Sequence, residues 1–277
     1  MSTRLTRRFA IKSIAVSAVL TRAGVSFSQS TPAWDSRYVA WDALLRKHVR
    51  WLPDGKQSRV DYKGLAQNRA ALQKVLAEWS AVTAAQFAAA SPAGQMAFLV
   101  NAYNGFTLEL ILTRYPQLKS IKDLGSFLQG PWKNKFFTLL GEPRHLDWIE
   151  HEQLRPRYND PRVHAAVNCA SIGCPALRPE AFTADRLEAQ LEDGMQRFMA
   201  DRTRNRFADG KLQVNMIFKW FREDFEKGHK GISRLEDLMA RHADQLADTP
   251  ADREKIKSKN VTIAYLDYDW SLNDLGR

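Results

Sequence analysis

Apolar residues recur at helical spacing along much of this chain. Tyr38, Trp41, Leu45 and Val49 predict a helix over 34–51, and Leu65, Leu72, Val75, Leu76 and Trp79 predict a second over 65–82. Ser91-Pro92 supplies a capping hydroxyl and a proline suited to the first helical turn. The helix it opens, over 93–114, is apolar nearly all round (Met96, Phe98, Leu99, Val100, Phe106, Leu108, Ile111) and is predicted to be the buried centre of the domain. Short apolar runs predict strands over 136–140, 163–169 and 261–266, and Asp209-Gly210 marks a hairpin. Asp147 with Glu150, and Ser233 with Glu236, read as capping boxes. The first opens a short helix ending before Pro156, the second a helix running to about Leu246. Thr183 is predicted to cap a helix through Phe198, and 217–225 a helix stopped by Gly228. The pattern implies a mainly helical α+β domain, its central helix packed on a small, mostly antiparallel sheet.

Charge changes the picture mainly at the N-terminus. The 277 residues carry a formal net charge of +10. Arg4, Arg7, Arg8, Lys12 and Arg22 supply five of those charges within the first 28 residues, where no acidic residue occurs, leaving +5 spread thinly over the rest. That spread excludes a dense polyanion-binding block, so no nucleic-acid partner is expected. A basic start, a short apolar stretch over 14–20 and the small-aromatic-small Ser26-Phe27-Ser28 read as a signal peptide over 1–28. The Arg7-Arg8 pair resembles the twin-arginine type, which implies a periplasmic protein exported after folding. The remaining chain divides into a linker and start over 29–40 and one globular domain over 41–277. No apolar run approaches the roughly 20 residues of a spanning helix, so no membrane span is expected in the mature protein.

The polar residues set in apolar surroundings are the candidates for chemistry. Asn101 and Asn104, three apart on one side of the central helix, either bond the backbone of a neighbouring loop or line a cleft. Cys169 and Cys174 are the only cysteines. In an oxidising compartment they suit a disulfide, whereas a thiol near a histidine suits nucleophilic catalysis. Were 163–169 a strand, His164 and Cys169 would point to opposite faces. His151, on a separate element four residues after Asp147, is then the favoured base, with His164 the second choice. His145, His151, His164 and the cysteines lack zinc-site spacing, so no metal is expected. No phosphate cradle, nucleotide fingerprint or nucleophile elbow occurs, which leaves any cofactor unknown.

Several stretches match one family in order. They are Val100-Asn101-Ala102-Tyr103-Asn104, Ile149-Glu150-His151-Glu152-Gln153-Leu154-Arg155, Val163-His164-Ala165-Ala166-Val167-Asn168-Cys169, Cys174-Pro175, Phe218-Lys219-Trp220-Phe221-Arg222-Glu223-Asp224-Phe225 and Tyr268-Asp269-Trp270-Ser271-Leu272-Asn273. From about Trp41 to Asn273 the chain resembles the family catalogued as domain of unknown function 547, found in bacteria and plants. The resemblance implies a single domain and transfers no catalytic roles.

Two function classes follow. One is a thiol-dependent hydrolase or acyl transferase with a site like that of papain or transglutaminase. There Cys169 would be the nucleophile, His151 or His164 the base and Asn101 an orienting amide, with Tyr103, Asn104, Glu150 and Arg155 contacting a small-molecule or peptide substrate. The other is a non-catalytic periplasmic binding or interaction module with a Cys169–Cys174 disulfide.

Overall fold

Helix α1 (Val39–His48) is shorter than its apolar period, because the next three residues form strand β1 (Val49–Trp51), paired antiparallel with β2 (Ser58–Val60). The turn at 53–56 brings back a partner strand whose ladder satisfies the backbone groups that a longer helix would have used. In this computed structural model the described residues are Met1, 34–125 and 130–276. The predicted signal sequence, Met1 aside, and the linker at 29–33 lie outside them.

The second predicted helix is two, α2 (Tyr62–Gln67) and α3 (Arg69–Ser80), with Asn68 at the junction. Helix α4 (Ala84–Ala89) carries a capping box in which Thr83 and Gln86 satisfy each other's backbone. Helix α5 (Pro92–Leu112) is the predicted centre. Ser91 Oγ accepts the Gly94 amide at 3.1 Å, and every residue from 96 to 112 except Glu109 is buried. Its main neighbours are α3 and the turn of π-helix Trp148–Leu154. A side chain at Gly105 would meet the Trp79 ring at 2.8 Å, so this glycine permits the close α3–α5 approach. Strand contact comes from Phe106, which stacks on Phe137 with centroids 3.9 Å apart.

Phe137 belongs to β3 (Phe137–Leu139), which forms a hairpin with β4 (Glu142–Arg144). The capping box expected at Asp147 and Glu150 does not form. Asp147 has helical backbone angles and no capping bond, and His145 Nδ1 accepts the Trp148 amide at 2.9 Å instead. Nor does the helix stop before Pro156. The chain continues helically as α6 (Arg155–Tyr158), a new segment that carries Pro156 in its first turn.

The segment 163–169 is not a strand. Asp160 accepts the Arg162 amide at 3.0 Å, and Pro161–Ala165 winds as a 3-10 turn before an irregular loop carries the chain to Cys174. Beyond it, α7 (Leu187–Ala200) begins one turn later than Thr183 suggested. Strands β5 (Arg206–Ala208) and β6 (Lys211–Val214) form the Asp209-Gly210 hairpin. The aromatic helix divides into α8 (Ile217–Trp220) and α9 (Arg222–Phe225). Helices α10 (Leu235–Arg241), α11 (Ala243–Leu246) and α12 (Pro250–Lys257) lead to β7 (Ile263–Tyr265), parallel to β6. The Ser233/Glu236 box is also absent, Leu235 N–H being taken at 3.0 Å by Glu226.

The domain is therefore mainly helical α+β, with three small sheets among the described residues in place of one. All described strand pairs except β6–β7 are antiparallel. Two adjoining apolar cores fill it, one around α1–α5 and one around α7, β6 and α8–α11. No helix among the described residues is long and apolar enough to cross a membrane.

Candidate functional site

Where the two cores meet, a cavity of about 190 Å³ opens to the surface. Residues far apart in sequence line it: Tyr103 from α5, Asp147, Glu150 and His151 around the π-helical turn, and His164, Cys169 and Cys174 from the loop region. Aromatic walls come from Trp132, Trp220, Phe221, Tyr268 and Trp270. Five of the eight candidates from the sequence, Tyr103, Glu150, His151, His164 and Cys169, thus share one wall or another of a single cavity.

Asn101 and Asn104 do something else. Asn101 Nδ2 donates to the Phe182 carbonyl at 2.8 Å, while its Oδ1 accepts Phe182 N–H at 3.0 Å and the Trp41 indole at 3.2 Å. Asn104 Nδ2 donates to the Ala166 carbonyl at 3.0 Å and its Oδ1 accepts Asn168 N–H at 2.8 Å. Both amides are buried and committed to loop backbone, and neither lines the cavity. Of the alternatives open in the sequence, this geometry is the loop-pinning one. Asn168 extends the chain of bonds: its Oδ1 accepts Ala170 N–H at 2.9 Å and the Asn273 amide at 3.3 Å, and Asn273 Oδ1 accepts the Tyr62 hydroxyl at 2.9 Å. Amide side chains thereby fix the cysteine loop between the central helix and the C-terminal tail.

That tail delivers Tyr268 and Trp270. It is laced in by Ile172 N–H to Ser271 O at 2.8 Å, Asn273 N–H to Ala170 O at 3.0 Å and Val60 N–H to Asn273 O at 2.9 Å. A side chain at Gly173 would lie 2.9 Å from the Tyr268 ring and 3.0 Å from the Asp269 carbonyl, so only glycine allows this approach.

Cys169 and Cys174 are joined in a disulfide. Closing so short a loop contributes about 2 kcal/mol in the chain-entropy account. The polar neighbours of Cys169 Sγ are hydroxyls, Ser171 at 3.2 Å and Tyr268 at 3.3 Å, and Tyr268 also donates to Cys174 Sγ at 3.2 Å. Burial pushes the Tyr268 phenol well above its ordinary value, so it remains a donor to these sulfurs.

Both histidines face carboxylates. His164 Nε2 lies 2.9 Å from Asp224 and Nδ1 lies 3.8 Å from Glu150. His151 Nε2 lies 3.6 Å from Asp147, and Nδ1 accepts from the Arg155 guanidinium at 3.0 Å. That bond places the neutral ring's proton on Nε2, toward Asp147. Phe221 stacks on His164 with centroids 4.1 Å apart. Arg155 stands behind His151 instead of on the cavity wall, donating to Asp224 at 2.5 Å and Glu223 at 2.9 Å. Burial alone would push the Asp224 carboxyl up. Hydrogen bonds from His164, Arg155 and Lys227 outweigh it and hold the group well below the usual carboxylate range. Burial, then the neighbouring Glu150 carboxylate that it hydrogen-bonds, pushes the Tyr103 phenol far up.

Reading single residues missed Asp224 and the aromatic walls, although the stretches containing Trp220, Phe221, Asp224, Tyr268 and Trp270 were among those marking the family resemblance. Trp132 carried no signal beyond its type. Among the described residues no three side chains of ligating type gather as a metal site.

No curated protein and no solved structure matches the chain. A family model does match, over 87–199, from α4 through nearly all of α7. It covers the asparagine clamps, the two histidines and the cysteine pair, while the aromatic walls at 217–221 and 268–270 fall beyond it. Over that stretch the chain is similar to the family described as protein of unknown function, DUF547.

Proposed function

We propose that this chain works in the periplasm, exported by the twin-arginine route, as a non-catalytic ligand-binding module whose aromatic cavity is braced by the Cys169–Cys174 disulfide. The observation that carries this reading is the disulfide itself, set in the cavity wall, since it leaves neither sulfur as a thiolate to attack a substrate. One ring nitrogen of each histidine is already engaged, His151 Nδ1 by Arg155 and His164 Nε2 by Asp224, which supports it further. The basic N-terminal segment supports export. Alkylating the denatured mature protein, isolated from the periplasm without reductant, tests the reading by mass. No labelled cysteine is expected before reduction and two after it. A single reactive thiol in the native protein would overturn it.

A second reading is favoured by one observation, that Cys169, His151 and His164 line the same cavity. Reduced by a small thiol, the chain would be a hydrolase or acyl transferase. Cys169 would attack an ester carbonyl, the alcohol would leave with the proton, and water would release the acid from the thioester. Turnover of an activated ester by the reduced protein, lost in Cys169→Ser, would establish it.

A further inference from the structure

Resting on the binding reading, we infer that the cavity takes a small organic cation, an alkylated ammonium group, held between its aromatic walls and the Asp147 and Glu150 carboxylates. Size is the first constraint. About 190 Å³ falls below the roughly 300–1,000 Å³ of sites that enclose drug-sized ligands, so the occupant is a compact group.

Charge is the second. Among the described residues the lining includes two carboxylates and no lysine or arginine. The polar neighbours of those carboxylates are the His151 and His164 rings at 3.6 and 3.8 Å and the Tyr103 hydroxyl. The positive groups behind the wall, Arg155 and Lys227, are matched by Asp224 and Glu223 at 2.5 to 2.9 Å. Two lining carboxylates against one ammonium at the aromatic wall, Lys122, leave the cavity net negative, which disfavours anions and favours cations over neutral ligands.

Ring geometry is the third. Trp132 and Trp270 meet at 62°, Tyr268 and Trp270 at 50°, and Trp220 and Tyr268 at 49°, with centroids 4.5 to 5.8 Å apart. Trp220 and Trp270 lie closer to parallel, at 28°, and all four rings line the cavity, where aromatic faces attract a cation. The protein already uses this affinity. Lys122 Nζ, which is not among the lining residues, lies 3.8 Å from the Trp270 ring centroid.

The test is calorimetric titration of the mature, disulfide-intact protein with choline and with 3,3-dimethylbutan-1-ol, its neutral carbon isostere. Choline is expected to bind saturably, and the isostere at least tenfold more weakly. Trp220→Leu, at a position 44 % exposed and therefore safe for folding, and Glu150→Gln should each weaken choline at least fivefold. Lys122→Gln, which removes a competing ammonium, should tighten it. Phosphocholine separates a lipid headgroup from a free cation, and weaker binding than choline is expected because its phosphate meets the two carboxylates. Equal binding of choline and its isostere would overturn the cation inference and leave the binding module standing. Failure of choline to bind, or binding unchanged in Trp220→Leu, would also overturn the inference. A reactive thiol in the native protein would instead overturn the reading beneath it.

Discussion

Replacing Asn104 by alanine isolates the clamp that sets the cysteine loop. Asn104 is 3 % exposed, and its amide makes two bonds to loop backbone, to the Ala166 carbonyl and from the Asn168 N–H. Truncation leaves both groups buried without their partner, at about 1–3 kcal/mol each. Partial loop relaxation recovers some of this, which puts the expected loss near 3 kcal/mol. For a chain of this size that corresponds to a drop in Tm of about 6–12 °C. Urea unfolding of the disulfide-intact protein reads it as a lower midpoint at unchanged slope. Thr107, one turn along α5, supplies the control. It is equally buried, but its hydroxyl has no partner among the described residues, so Thr107→Val should cost nothing or stabilise slightly. Exchange of the Asn168 amide proton is the local readout, and it should accelerate in Asn104→Ala. A loss below about 1 kcal/mol, or an Asn168 amide as protected as before, would refute the clamp.

Two further substitutions probe what surrounds the cavity. Asp224→Asn removes the carboxylate shared by His164, Arg155 and Lys227 and should cost about 3 kcal/mol at neutral pH, the lower end for breaking a buried charge pair since Lys227 is half exposed. Because folding depresses the Asp224 pKa from its ordinary 3.8, the unfolded chain binds that proton first. The stability it contributes is complete above about pH 5 and fades as pH falls below 4. Urea titrations at pH 7 and pH 3 should therefore differ less in Asp224→Asn than in the parent, and an unchanged difference would sink the assignment. Gly173→Ala drives a methyl group into the Tyr268 ring and the Asp269 carbonyl, with an expected cost of about 1–3 kcal/mol and a shifted tryptophan emission as Trp270 moves with the tail. Unaltered emission and stability would mean that the tail is not fixed at Gly173.

Local chemistry made some elements legible and misled on others. The central helix could be read because Ser91-Pro92 and the apolar run after it act within a few residues of one another, and nothing distant competes. The segment at 163–169 was misread because Val-His-Ala-Ala-Val alternates passably with period two. What decides its path is the Asp160 cap behind it and the Asn104 clamp reaching over from α5, a partner some sixty positions earlier in the chain. The two capping boxes failed in the same way. His145 and Glu226 accept the Trp148 and Leu235 amides at those two turns, and a short motif gives no warning of such neighbours. The hairpin at 49–60 was hidden because Val49 satisfies a helical period and a strand pairing equally well.

This difference bears on how the cavity itself can be found from sequence. Its polar residues, Glu150, His151, His164 and Cys169, stand out in the sequence by chemical type. Cys169 and the two histidines read as a thiol with candidate bases, and Glu150 as part of a capping box, even though neither the strand assumed for His164 and Cys169 nor that box exists. Its aromatic walls gave no such signal, since a tryptophan is as much at home in a core as in a binding site. Trp220 and Trp270 become part of a site only because the tail at 268–273 is tied to Ala170, Ile172 and Val60 by backbone bonds between segments about a hundred or more positions apart. In this chain the cost of burying polar groups pointed to the asparagine clamps beside the cavity and reactive side-chain types pointed to its polar wall, while the surface that would grip a ligand is assembled by long-range backbone pairing and is legible only in three dimensions.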